Sequence, residues 1–119
     1  VIVIETDLIP PSVNSYWRTS CRGKFPRVYI SSKGKKFKEA LGLIAKSKIK
    51  SPLKADIRLK IEYHITGKVG KDIDNILKAI LDSLNGIVYE DDKQITELSV
   101  KKIRQSKANK IIIKAEECI

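Results

Sequence analysis

A chain of 119 residues with 42% hydrophobic content can bury one core, so a single domain over 1–119 is expected, with binding and chemistry sharing one surface. Its 24 Lys and Arg against 14 Asp and Glu leave a net charge of +10, an excess that solubility does not require and that binding to a polyanion uses. No apolar run approaches the ~20 residues of a membrane-spanning helix, and no basic leader with an apolar core is recognisable, so a cytoplasmic protein is expected.

Val1 to Ile4 is a β-branched run that reads as a buried first strand, ended by Pro10-Pro11. Ser12 to Arg27 reads as a loop in which aromatics and cations mix, with Gly23 as a turn: Asn14, Tyr16, Trp17, Arg18, Arg22, Lys24 and Arg27. Stacking of bases on the aromatics and phosphate contacts from the cations both suit that mixture, although Tyr16 and Trp17 plugging the edge of the core beside merely solvated cations would look the same. Val28 to Ile30 reads as a second strand. Ser31-Ser32 then offers an N-cap for a helix from Lys33 to about Lys50, with Phe37, Leu41, Ile44 and Ala45 buried. Seven lysines, including Lys33 and Lys36, make that helix suited to tracking a phosphate backbone, although a solvated face would look the same.

Ala55 to Thr66 alternates apolar and charged residues, the pattern of a half-buried strand. His64, the only histidine, falls on its polar face, and no His-dependent chemistry is expected. Ile95 to Arg104 and Lys110 to Ala115 read as two more strands joined as a hairpin by Ser106 to Asn109. The expected fold is α+β, a mixed β-sheet with two helices in the order β-β-α-β-α-β-β. Cys21 and Cys118 are too few and too far apart for a disulfide framework or a zinc site, so reduced thiols are expected.

The chemistry concentrates in Lys71 to Lys93. Gly67 to Gly70 form a flexible lead-in to Asp72, and Ile73, Ile76, Leu77, Ile80, Leu81 and Leu84 then trace one apolar face of a helix that Asn85-Gly86 ends. Asp74, Lys78 and Asp82 line its exposed ridge. Ile87, Val88 and Tyr89 form a return that would carry Asp91 and Asp92 toward Asp72 and Asp74, so that three or four carboxylates meet. Such crowding calls for a cation, and a hard ion such as Mg2+ prefers oxygen ligands of this kind. Asp72 and Asp74 alone could be ordinary first-turn acids; Lys78 and the second acid pair shift the reading toward a metal site.

D-I-D-N-I-L-K-A followed by Y-E-D-D, with I-P-P-S-V-N-S-Y-W near the N-terminus, resembles the RusA family of Holliday junction resolvases, small phage-associated endonucleases. The resemblance spans nearly the whole chain. It implies Mg2+, or Mn2+ in its place, held by three aspartates that fall on Asp72, Asp74 and Asp92, and a lysine assisting cleavage that falls on Lys78. The loop after the helix is about a residue shorter than the family pattern, which leaves Asp91 as the alternative to Asp92. Four-way junction DNA as partner and a homodimer making paired cuts are also implied. No small-molecule cofactor is called for. Asn14, Tyr16, Arg18, Arg22, Lys24, Arg27, Lys33, Lys36 and Lys71 are the expected DNA-binding residues. The rival readings are a noncatalytic basic DNA-binding protein and a nuclease for flaps or forks.

Overall fold

The computed structural model describes residues 1–20 and 26–118. Its elements are β1 (Ile2–Thr6), the single-turn α1 (Val13–Tyr16), β2 (Trp17–Ser20), β3 (Arg27–Ile30), α2 (Ser32–Lys46), β4 (Ile57–His64), α3 (Ile73–Leu84), a 3-10 turn (Asp92–Gln94), β5 (Ile95–Ile103) and β6 (Lys110–Glu117). Alternation builds the centre. Ile57, Leu59, Ile61 and Tyr63 of β4 are buried on one side of the strand, and Arg58, Lys60, Glu62 and His64 point to the other. Ile111, Ile113 and Ala115 of β6 continue the buried side. Against it pack Phe37, Leu41 and Ala45 of α2 and Ile76, Ala79, Ile80 and Leu84 of α3, so both long helices close one apolar layer.

The main sheet is mixed, with strand order β1-β6-β4-β5: β6 is antiparallel to both its neighbours, and β5 is parallel to β4. A parallel pair needs a crossover, and α3 is the helix within it. On the outer side Arg58 ties three strands together through ion pairs to Glu97 on β5 and Glu116 on β6.

The α+β class with a mixed sheet is as expected, but four local expectations are corrected. The Ser12 to Arg27 loop contains α1 and β2, and β2 pairs with β3 in a separate two-stranded sheet. Ser12 caps α1, its hydroxyl accepting from the Ser15 N–H. Val1 and Val3 are exposed, because β1 is an edge strand that the helices cover on one face, burying only Ile4 and Thr6. The basic helix ends at Lys46, where the Ser47 hydroxyl donates to the Ile44 carbonyl at 2.6 Å and competes with the next helical bond.

Finally, β5 and β6 do not form a hairpin. Their connection passes the end of β4, where Ser106 N–H donates to the Ile65 carbonyl at 2.8 Å and Asn109 Oδ1 accepts from Thr66 N–H at 2.9 Å. The more apolar β6 takes the inner position and the exposed β5 takes the edge. No helix among the described residues is long and apolar enough to cross a membrane. Among the described residues Cys118 is unpaired, and Cys21 lies outside them.

Candidate active site

The start of α3 is set by its lead-in. Gly70 has φ +66°, and a Cβ there would stand 2.6 Å from Ile65 Cδ1, so this sharp approach requires glycine. Asp72 then takes the N-cap position with extended backbone, yet its side chain makes no capping hydrogen bond. Asp74 lies in the first helical turn, and both residues are exposed. Among the described residues neither carboxylate is held in a hydrogen bond or an ion pair. The N-cap acid and the first-turn acid are thus both left with their carboxylates toward solvent.

The end of α3 is built differently. After the C-cap Asn85, Gly86 N–H donates to the Tyr89 carbonyl at 2.7 Å and Val88 N–H to the Leu84 carbonyl at 3.0 Å, folding the return onto the helix. Val88 and Tyr89 are fully buried, and the Tyr89 hydroxyl donates to the Leu81 carbonyl at 2.7 Å. Gln94 then pins the acidic turn: its oxygen accepts from the Glu90 and Asp91 N–H groups, and its amide donates to the Leu53 and Ala55 carbonyls. Asp91 completes a capping box, accepting from Lys93 N–H at 3.0 Å.

The two adjacent acids consequently differ. That backbone bond, followed by the contact with Asp92, holds the Asp91 carboxyl below its ordinary range. Asp92 is pushed up, first by its contact with Asp91, then by partial burial and the charge of Asp91; Lys78 opposes this and Asp82 adds to it. The Tyr89 phenol is also raised, chiefly by burial and then by Asp92, Asp82 and Asp91. Asp82 therefore belongs to the electrostatic neighbourhood of the second acid pair.

Lys78 sits between the two ends on the ridge that begins with Asp74, one helical turn (about 6 Å of rise) further along. Its ammonium is 3.2 Å from Asp82 Oδ1 and 5.7 Å from the centre of the Trp17 ring. Tyr16 donates its hydroxyl to Asp82 Oδ2 at 3.1 Å and meets Trp17 edge to face at 5.3 Å. Tyr16 is 0% exposed, which corrects its expected place on the DNA surface: its ring is core and only its hydroxyl reaches the site. Burial and the neighbouring Asp82 charge raise its phenol well above the usual range.

The other sequence-derived candidates are distributed around this centre. Asn14 is exposed on α1, Arg18 and Arg27 are exposed on the β2–β3 hairpin, and Lys33 and Lys36 are exposed on α2. Lys71 is half-buried just before α3, its N–H at 3.5 Å from the Tyr63 hydroxyl. Arg22 and Lys24 lie outside the described residues. Lys35, Lys38 and Lys46 line a groove of about 700 Å3 between α2 and the end of α3, where Asn85 Oδ1 is buried without a hydrogen-bond partner among the described residues. Among the described residues no three His, Cys, Asp or Glu side chains are grouped as a ready-made metal cage, so the expected meeting of Asp91 and Asp92 with Asp72 and Asp74 is not seen: the two acid pairs stay at separate ends of α3. The donor chemistry nonetheless suits a hard ion, since Mg2+ typically takes only one or two carboxylates and leaves the rest of its shell to water and phosphate.

Asp82 and the polar end of Tyr16 were missed by reasoning from sequence. An acid in the last turn of a helix was the available signal, because that position opposes the helix dipole.

A basic α+β domain that, among the described residues, leaves two acids at a helix start unpaired offers oxygen donors within a cationic surface, and comparison with known proteins gives its class. The family model described as Endodeoxyribonuclease RusA matches residues 8–116. The chain is 39% identical over 93 residues to a crossover junction endodeoxyribonuclease of Enterobacteria phage HK97, covering 76% of this chain and 74% of that protein. It is 31% identical over 104 residues to the protein of the same name from Enterobacteria phage 82, covering 86% and 83%. A similar protein from Escherichia coli is 29% identical over the same length. The chain belongs to the RusA endodeoxyribonuclease family.

Proposed function

We propose that this protein is a metal-dependent endonuclease that resolves Holliday junctions by paired, symmetric cleavage of DNA phosphodiester bonds in recombination and repair. The observation that carries the reading is the exposed pair Asp72 and Asp74 at the start of α3, Asp72 at the N-cap without the capping bond that would otherwise explain it, in a chain of the RusA family. Asp72, Asp74 and Asp92 would hold Mg2+, or Mn2+ in its place. Asp92 is preferred to Asp91 because the Asp91 carboxylate is engaged in its capping box. A divalent ion bound there supplies an activated water and neutralises charge developing on the phosphate.

The chain's own groups do the rest. Lys78 directs its ammonium at the phosphate or the leaving oxygen, where positive charge counts most in the transition state. Asn14, Arg18, Arg27, Lys33, Lys36 and Lys71 engage backbone and position the junction. Two cuts across a two-fold symmetric junction call for two such sites, and a two-fold homodimer provides them. Sedimentation at micromolar concentration is expected to give about twice the 13.4 kDa chain mass.

One gel tests the central claim: purified protein with a synthetic four-way junction, a matched linear duplex, a flap or a fork, in Mg2+ or in EDTA. Paired symmetric nicks confined to the junction and abolished by EDTA are expected. Binding without cleavage in Mg2+ would overturn the enzymatic reading. Preferred cleavage of flaps or forks would overturn the substrate.

A further inference from the structure

We propose that Asp82 is a positioning residue for Lys78, holding the ammonium in place through a relay that starts at the buried hydroxyl of Tyr16 and is closed on the far side by the ring of Trp17. The inference rests on the reading of Lys78 as the residue that assists cleavage.

The geometry is specific. Tyr16 Oη lies 3.1 Å from Asp82 Oδ2, and Asp82 Oδ1 lies 3.2 Å from Lys78 Nζ, so one carboxylate joins a core hydroxyl to a surface cation. Side-chain exposure follows the same gradient, with 15% for Asp82 and 43% for Lys78. Lys78 Nζ is also 5.7 Å from the Trp17 ring centre, within reach of its negative face. Tyr16 is itself immobilised. Ser31 N–H donates to its carbonyl at 2.8 Å, and α2 presses so closely that a Cβ on Gly34 would stand 2.9 Å from Tyr16 Cδ1. A flexible lysine is thereby referred to the rigid core.

Helix stability does not account for Asp82. A carboxylate in the last turn of α3 faces the negative end of the helix dipole. A pair with lysine four residues before the acid also has the less favourable of the two orientations. Tyr16 comes from an element 66 residues away in sequence to satisfy that carboxylate. What the arrangement provides is a fixed place for the ammonium between Asp82 and the Trp17 ring, and positioning of this kind is worth large factors in rate.

The test is a double-mutant cycle on Asp82→Asn and Lys78→Ala, read as single-turnover cleavage of a saturating four-way junction in Mg2+, with junction affinity measured in EDTA. Asp82→Asn is expected to slow cleavage ~10-fold to 100-fold with affinity unchanged within about threefold. The double variant is expected to be no slower than Lys78→Ala alone, because Asp82 acts only through Lys78. Tyr16→Phe, which keeps every charge, is expected to slow cleavage in the same direction by a smaller factor.

Trp17, the only tryptophan, gives a readout independent of activity: Asp82→Asn and Lys78→Ala are expected to alter its emission alike, with no further change in the double variant. Parental cleavage by Asp82→Asn, or a double variant slower than Lys78→Ala by the full Asp82→Asn factor, would overturn the positioning role alone. Parental cleavage by Lys78→Ala would instead remove Lys78 from the chemistry and the inference with it.

Discussion

Asp74→Asn separates chemistry from folding on one side chain. Asp74 is exposed and, among the described residues, bonded to nothing, so its structural value is limited to its charge near the positive end of α3. That interaction is worth ~0.3–1 kcal/mol, and its loss should lower Tm by no more than about 5 °C in a domain of this size. Junction affinity in EDTA should survive or improve. One unit charge ~6 Å from a phosphate in water contributes about 0.7 kcal/mol of repulsion, and removing it tightens binding about threefold.

Cleavage should behave otherwise. Loss of a group that merely supports a metal ligand commonly costs 10–100-fold, so loss of a ligand should cost at least ~100-fold, or about 2.7 kcal/mol of barrier. The assay is single-turnover cleavage of a labelled four-way junction in Mg2+, beside a filter-binding titration in EDTA and a thermal melt. Cleavage within a few-fold of the parent, with the small stability loss present, would show that Asp74 serves only the helix dipole and would leave the metal site without a central ligand.

Three further outcomes are expected of the same structure. If Arg18, Arg27, Lys33, Lys36 and Lys71 each neutralise one phosphate, log affinity should fall against log salt with a slope near −4.5 per chain, whereas a nearly flat titration would move the DNA elsewhere. Asp92 has a raised pKa, so its ionised form is disfavoured in the folded chain: the proton it retains stabilises at acid pH, and that contribution is lost as pH rises through its folded pKa. Asp92→Asn should therefore melt higher than the parent at pH 7 and no higher at pH 3, and a Tm gain of the same size at both would refute the assignment. Gly70→Ala meets a positive φ and the Ile65 methyl together and should cost ~2 kcal/mol or more in urea unfolding, whereas a neutral substitution would mean that the approach to Asp72 is not held as described.

Much of α3 was legible in the residues themselves. The 3.6-residue apolar period sets Ile73–Leu84 on the core, Asn85 and Gly86 end it, and two aspartates at its start are visible without coordinates. The N-cap at Ser31 and the alternation of β4 were legible for the same reason: each is an interaction of a residue with its own neighbours in sequence. The +10 charge, likewise, needs only counting.

What lay beyond the sequence was partner choice. Alternating apolar residues say that β5 and β6 are strands, but the decision that β6 enters between β1 and β4 while β5 lies parallel at the edge depends on competing burial across the whole sheet. The same limit hid the centre of the site. Tyr16 read equally as a base-stacking aromatic or a plug at the core edge, and Asp82 as one more acid on a polar ridge, because nothing within a helical turn of either announces the other. Only packing of α1 against α3 brings that hydroxyl to that carboxylate, and a contact between residues 66 apart has no period for a sequence to display.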